Sequence, residues 1–330
     1  MGRNGAAAMK RLALLFPGQG SQYIGMGKEF YNAFPVARDI IDEANDVLGF
    51  DLKKIIFDGP EDTLRQTQYT QPAIFTVSLA IFEVFANNYP LVYQPGGKPT
   101  REIMCAGHSL GEYSALGATE VFRLKHGLNL VKARGEFIQK ASRQNPGTMA
   151  AVIGLDKNKI NEICLKISNE GKTCEAVNFN SPEQTVIAGT QEGINEALKL
   201  CAEAGASKTV PLNVSGPFHS KLMDPAAEMM NSEIAGYSFS TPKFTFISNC
   251  DAKITLEPRE IKANLVNQIN HPVLWEDSIK VMIQAGAEVF LEIGPGRVLS
   301  GLMRRIDKTR KILNIEDIKS LEKAVQELKQ

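Results

Sequence analysis

Residues 12–16 read Leu-Ala-Leu-Leu-Phe, an apolar run without a polar break, and Pro17-Gly18-Gln19-Gly20 stops it. A short, unbroken apolar run bounded by turn formers fits a strand buried on both faces, as in the middle of a parallel sheet. A second such run, Ile103-Met104-Cys105-Ala106, follows Arg101-Glu102 and ends at Gly107. Between the two, apolar residues recur at helical spacing and predict helices over 23–32, 36–48 and 73–87. A long amphipathic helix is predicted over 122–142, where Leu124, Leu128, Val131 and Phe137 fall near a 3.6-residue period. The longest apolar stretch, 74–86, is broken by Thr76, Ser78 and Glu83 and is too short to cross a bilayer, so it reads as a buried helix.

Beyond residue 147 the pattern changes. Strand-like segments at 148–154, 174–179, 184–189 and 207–212 alternate with helical patterns at 157–168 and 191–204. The order β-α-β-β-α-β over about 65 residues is the ferredoxin-like signature. Further strands are predicted at 244–248, 288–293 and 311–313, and an amphipathic helix at 317–329 closes the chain. The expectation is an α/β protein whose core, 9–145 and 214–330, carries an inserted α+β subdomain at 146–213. Residues 1–8 read as an added leader with Met9 as the natural start, and Gln94-Pro95-Gly96-Gly97-Lys98-Pro99 as the clearest loop.

Composition narrows the function more by exclusion than by content. The 330 residues include 37 basic and 37 acidic side chains, so no global charge points to nucleic acid or to an anionic membrane. No charged, apolar and small-residue leader of the secretory type opens the chain. The five cysteines, Cys105, Cys164, Cys174, Cys201 and Cys250, are scattered without metal-ligand spacing. That usage predicts no metal site, no disulfide framework and a reducing cytoplasm.

Gly107-His108-Ser109-Leu110-Gly111 matches the Gly-x-Ser-x-Gly nucleophile elbow. A serine at the tip of a sharp strand-to-helix turn adopts strained dihedrals, and its close neighbours must lack side chains. The bare pattern turns up by chance in roughly one chain in ten of this length, so its context decides. Here an apolar strand runs in and Glu112-Tyr113-Ser114-Ala115-Leu116 leaves as a helix, which predicts an α/β-hydrolase-like core and acyl transfer through a serine ester.

Ser109 needs a base, and the chain has four histidines. His108 adjoins Ser109 at a strand end, where neighbouring side chains point apart. His126 lies inside the long helix, where a surface or packing role fits. His271 precedes Pro272 in an extended segment and stays open. His219 stands in Ser215-Gly216-Pro217-Phe218-His219-Ser220, a turn-rich loop of the kind that presents catalytic groups, and the Ser-then-His order matches the α/β-hydrolases. For a third member Asp224 and Asp251 are available, or a backbone carbonyl orients the base.

Several motifs together resemble the malonyl-CoA:acyl carrier protein transacylases of bacterial fatty-acid synthesis and the acyltransferase domains of polyketide synthases. They are Phe16-Pro17-Gly18-Gln19-Gly20-Ser21-Gln22, Tyr69-Thr70-Gln71-Pro72-Ala73, the elbow with Glu112-Tyr113, Arg134-Gly135 and Met149-Ala150-Ala151-Val152. Asn178-Phe179-Asn180-Ser181-Pro182, Gly216-Pro217-Phe218-His219-Ser220, Gln268 ahead of His271-Pro272-Val273, and Glu292-Ile293-Gly294-Pro295-Gly296 follow in the same order. The departures, Asn270-His271 and Thr119-Glu120-Val121, leave the chemistry intact.

The resemblance implies that Ser109 carries the acyl group, that His219 is its base, and that Gln19 and Leu110 offer backbone N–H groups to the oxyanion. It implies that Arg134 grips the free carboxylate of a malonyl group, for which a planar guanidinium suits better than a lysine. Gln268 matches a glutamine whose backbone carbonyl orients the histidine. Asn178 and Asn180 match positions facing the substrate cleft, and Phe218 a position that narrows the space around the substrate's α-carbon.

The implied activity is malonyl transfer from malonyl-CoA to the phosphopantetheine thiol of acyl carrier protein, with no metal or redox cofactor. A stand-alone acyltransferase of polyketide synthesis shares that chemistry. An esterase fits less well, because Arg134 would place a charge among neutral acyl chains, and a silent carrier-protein scaffold does not need Ser109, His219 and Arg134 together. Arg304, Arg305, Lys308, Arg310 and Lys311 form the densest basic cluster, suited to an acidic carrier protein.

Overall fold

The computed structural model describes residues 11–89, 92 and 102–329. The expected leader and the loop at 94–99 lie outside these residues.

Five strands form a parallel sheet in the order β7-β2-β1-β8-β9. They are β1 (Leu12–Phe16), β2 (Ile103–Gly107), β7 (Thr245–Phe246), β8 (Val289–Ile293) and β9 (Lys311–Ile315). The unbroken apolar run of β1 is explained by its central place, hydrogen-bonded to β2 on one side and β8 on the other. Successive side chains point to opposite faces. Leu12, Leu14 and Phe16 enter the apolar cluster containing the helix Thr67–Asn88, while Ala13 and Leu15 enter the one built on Trp275, Met282 and Phe290.

The second sheet is antiparallel, in the order β4-β5-β3-β6. Its strands are β3 (Thr148–Ile153), β4 (Cys174–Ser181), β5 (Gln184–Gly189) and β6 (Lys208–Pro211). This is the ferredoxin-like arrangement expected from the β-α-β-β-α-β order. One face packs on the helices Lys157–Asn169 and Gln191–Glu203, with Ala150, Val152, Ile163 and Ala197 in its core. The other face gathers Met149, Ala151, Val177, Val186 and Ala188 against Leu212, Val214 and Phe218. Two backbone bonds, Phe179 N–H to Val273 O at 3.0 Å and Val273 N–H to Val177 O at 2.8 Å, tie β4 to the core.

Departures from the predicted elements have local causes. The helix expected over 23–32 spans only Lys28–Ala33, because Gly25 and Gly27 take left-handed φ values of 90° and 74° that start it late. The helix expected from residue 73 begins at Thr67 and runs through Pro72, carried by the burial of Thr67, Thr70 and Gln71. By length and hydropathy it could cross a membrane, but 89% of its apolar window is buried inside the protein. Two short helices, Leu52–Asp58 and Glu61–Leu64, were not anticipated. The strand expected over 244–248 shrinks to two residues, whereas the last strand extends to Ile315.

The final helix, Ile318–Leu328, opens on a reciprocal cap. The Asp317 carboxylate accepts from Ser320 N–H at 2.7 Å, and Asp317 N–H donates to Ser320 Oγ at 3.0 Å. Asp317→Ala is expected to lower stability by about 1 kcal/mol, to be measured as a shifted urea midpoint at constant m-value.

Candidate active site

The carboxyl end of β2 runs directly into Ser109, whose φ is 51°. A Cβ on Gly107 would stand 1.8 Å from Gly111 O, and one on Gly111 would stand 2.0 Å from Phe16 O. Real Cβ atoms do not come so close, so both elbow glycines are required by contact as well as by the turn. Gly18 is held likewise, since its Cβ would lie 2.3 Å from His108 O. The helix Gly111–Ala118 therefore starts on top of the end of β1.

Asn249 and Gln268 hold the serine backbone. Ser109 N–H donates to Asn249 Oδ1 at 2.7 Å, while Asn249 Nδ2 donates to Gly107 O at 2.6 Å. Gln268 Nε2 donates to Ser109 O at 2.9 Å. A non-glycine residue in the left-handed region is costly and persists where its surroundings over-determine it. Here both poles of the Ser109 backbone are pinned.

His219 lies in the loop where the sequence places it, with φ 62° and almost fully buried. Its Nε2 is 2.8 Å from Ser109 Oγ, and its Nδ1 is 2.6 Å from Gln268 O. A carbonyl only accepts, so Nδ1 carries the hydrogen and the Nε2 lone pair faces the serine. Burial, and secondly the charge of Arg134, push the imidazole pKa down to about 3. The ring is therefore neutral near pH 7, with its Nε2 lone pair unprotonated. Neither available aspartate reaches it: Asp224 accepts from Asn270 Nδ2 at 2.8 Å and Asp251 from Lys253 N–H at 3.2 Å. The other histidines stand apart from the serine hydroxyl. His126 meets the Tyr237 ring edge-on, exposed His271 bonds Asn267 O, and His108 Nε2 lies 2.8 Å from Asn180 Oδ1.

Arg134, on the helix Leu124–Gln144, is 2% exposed. Its Nη2 donates to Ser109 Oγ at 3.2 Å and to Gln268 Oε1 at 2.7 Å, and its guanidinium lies over the Tyr113 ring at 5.5 Å. Nε finds no acceptor among the described residues. Burial lowers the arginine's pKa, but a guanidinium stays charged in a protein. No carboxylate among the described residues pairs with it directly; Glu112 reaches it only through the Gln268 amide. A buried cation without a direct counter-charge, beside a serine hydroxyl, can take up an anionic group at low desolvation cost to itself.

The remaining expected residues line the space above Ser109. A cavity of about 260 Å³ is bordered by Gln19, Ser109, Asn178, Asn180, Phe218 and His219, together with Val298 and Leu302. A small recess of about 30 Å³ joins Gln19, Leu110 and Arg134 to Ser109. Neither Gln19 N–H nor Leu110 N–H is bonded to another described residue. Asn180 is committed to His108, and Asn178 is buried at the seam between β4 and Val273. A larger cavity, about 710 Å³ around Phe122 and His126, contains none of these groups.

Two residues were missed from the sequence. Asn249 has no local signature. Glu112 has one: it is the single charge in the helix Gly111–Ala118, which is otherwise small, apolar or aromatic and almost wholly buried. Among the described residues no cluster of three or more His, Cys, Asp or Glu is placed to hold a metal ion.

Comparison with known proteins gives one answer. The acyl transferase domain family matches residues 13–328. The malonyl CoA-acyl carrier protein transacylase of Bacillus subtilis is 40% identical over 98% of both chains. That of Escherichia coli K12 is 41% identical over 91% of this chain and 94% of its own. Among solved structures, the malonyl-transacylase PlMCAT, in complex with the type II PKS acyl-carrier protein AntF, superposes with a TM-score of 0.90 at 40% identity, covering 96% of this chain and 99% of that one. The Coxiella burnetii transacylase superposes at 0.91 with 35% identity, over 98% and 100%. With relatives matched nearly end to end and a glycine-framed serine, a neutral histidine and a buried arginine in one cleft, this chain belongs to the acyl transferase family, among the malonyl CoA-acyl carrier protein transacylases.

Proposed function

We propose that this protein moves malonyl groups from coenzyme A to acyl carrier protein through an ester on Ser109. The observation that carries the reading is the buried Arg134 guanidinium 3.2 Å from the Ser109 hydroxyl. An acyl group bearing a free carboxylate fits that charge, whereas a neutral acyl chain leaves it unmatched. An esterase is disfavoured on the same ground.

In this reading His219 Nε2 takes the proton of Ser109 as Oγ attacks the thioester carbonyl. The unpaired N–H groups of Gln19 and Leu110 border the recess where the oxyanion develops, the role that a preorganised donor pair performs in acyl transfer. The tetrahedral intermediate collapses, His219 returns the proton to the departing coenzyme A thiol, and malonyl-Ser109 remains. The carrier's phosphopantetheine thiol then repeats the sequence in reverse. Gln268 orients His219 through its carbonyl and steadies Arg134 through its side chain. Asn178, Asn180 and Phe218 shape the wall beside the acyl group. No metal or redox cofactor enters these steps.

The reading includes a catalytic core at 9–145 and 214–330 and a subdomain at 146–213, supported by two separate sheets with separate apolar clusters. It places the protein in the cytoplasm, supplying fatty-acid synthesis. Ion pairing thins the basic cluster. Arg310 pairs with Asp307 and Lys311 with Glu327, leaving Arg304, Arg305 and Lys308 exposed and without an ion-pair partner among the described residues. Arg304 and Arg305 end the helix Val298–Ile306, whose first turn borders the cleft. That position suits an acidic carrier protein delivering its arm past Val298.

Intact-mass analysis after incubation with malonyl-CoA tests the mechanism. The wild type should gain one malonyl group and lose it to carrier protein. Ser109→Ala should gain none, and a normal adduct on that variant would sink the assignment. Arg134→Ala should lose about 2–5 kcal/mol of transition-state stabilisation for malonyl, as for a desolvated charge pair losing one partner, and far less for acetyl. Equal losses would make Arg134 a support of the fold.

Charge reversal at Arg304 and Arg305 should slow the transfer to carrier protein most strongly at low salt and leave malonyl-Ser109 formation unchanged. An unaltered second half-reaction would remove this face from the docking site.

A further inference from the structure

We propose that Glu112 is a positioning residue of the acyl-transfer site, setting the backbone of Ser109 through Asn249 and Gln268. The inference rests on Ser109 as the nucleophile and adds a residue that never touches substrate.

Glu112 is fully buried beneath the elbow, one residue past Gly111. Its Oε1 accepts from Asn249 N–H at 3.0 Å, and its Oε2 accepts from Gln268 Nε2. These two partners are the residues that pin the N–H and the C=O of Ser109. One carboxylate thus fixes both clamps on a serine held at φ 51°.

The direction of these bonds requires an acceptor at both Glu112 oxygens. Gln268 cannot turn its amide over: its Oε1 is claimed by Arg134 and its Nε2 by Ser109 O. A flipped amide would set oxygen against oxygen at Ser109 and NH2 against guanidinium at Arg134. Asn249 offers a backbone N–H, which has no alternative polarity. Glu112→Gln keeps the shape yet must aim its own NH2 at one of two donors. A protonated Glu112 meets the same conflict.

The charged and titratable groups around Glu112 come from three elements. Arg134 belongs to the helix Leu124–Gln144, Tyr113 to the elbow helix, and Cys250 to the loop after β7. Burial pushes the Glu112 carboxyl up to about 7, while its donors and Arg134 pull it back. His219, held near 3, does not titrate in the same range. A loss of rate as pH falls through about 7 would therefore report one Glu112 oxygen turning from acceptor to donor and one of the Ser109 clamps losing its anchor.

The test is the single-turnover rate of malonyl-enzyme formation from malonyl-CoA, from about pH 5.5 to about pH 8.5, for wild type, Glu112→Gln, Glu112→Asp, Asn249→Ala, the Glu112→Gln/Asn249→Ala double variant and Ser109→Ala. Wild type should slow as pH falls through about 7. Glu112→Gln should be about 10- to 100-fold slower at the alkaline end, the usual effect of removing a group that orients a reacting one, and flat with pH. The losses in the double variant should combine less than multiplicatively, because Glu112 acts in part through Asn249. Glu112→Asp keeps the charge at shorter reach; it should be intermediate in rate with the pH dependence retained, and it carries the comparison if Glu112→Gln does not fold. A Glu112→Gln rate within about twofold of wild type, multiplying losses in the double variant, or a flat wild-type profile would overturn the proposal. An adduct on Ser109→Ala would instead sink the Ser109 reading beneath it.

Discussion

The cleft depends on one close approach, the backbone of Gly111 lying against the carbonyl of Phe16 at the end of β1. That contact brings the elbow helix onto the central strand and turns the chain at Ser109 into the left-handed region. Strain of this kind persists only where neighbours leave no alternative. Asn249 and Gln268 remove the alternatives, and they arrive from segments more than a hundred residues later in the chain. The parallel sheet is thus more than a platform. The order β7-β2-β1 brings the strand before Asn249 alongside the strand before Ser109.

Electrostatics in the cleft follow from burial. Desolvation disfavours charge, so the imidazole is neutral, while an arginine too basic to deprotonate keeps its charge in the same dry space. Removed from water and lacking a direct carboxylate partner among the described residues, Arg134 is held by Ser109, Gln268 and the Tyr113 ring. These partners keep the guanidinium in place without neutralising it. In a low-dielectric recess an uncancelled charge of this kind would pair strongly with a carboxylate.

Much of this was legible in residue order because it rests on local rules. Unbroken apolar runs marked β1 and β2, the β-α-β-β-α-β order of strand-like and helical segments marked the second sheet, and the spacing of two glycines around Ser109 marked the elbow. The misread boundaries lie where tertiary contacts override local preference, as in the burial that carries a helix through Pro72. Ser109, His219 and Arg134 could be picked out because their chemistry is scarce or their motifs distinctive. Asn249 and the side chain of Gln268 could not, since an amide signals nothing until its partners are known. Glu112 is the intermediate case. A lone charge in an apolar helix is visible in sequence, but its purpose appears only once the donors facing it are in place.

Gln268 separates two tasks within one residue. Its peptide carbonyl holds His219, and its side-chain amide holds Arg134 and Ser109. A carbonyl belongs to every amino acid, so a substitution at this position keeps the bond that orients His219 and is felt wholly through the side-chain bonds to Arg134, Ser109 and Glu112.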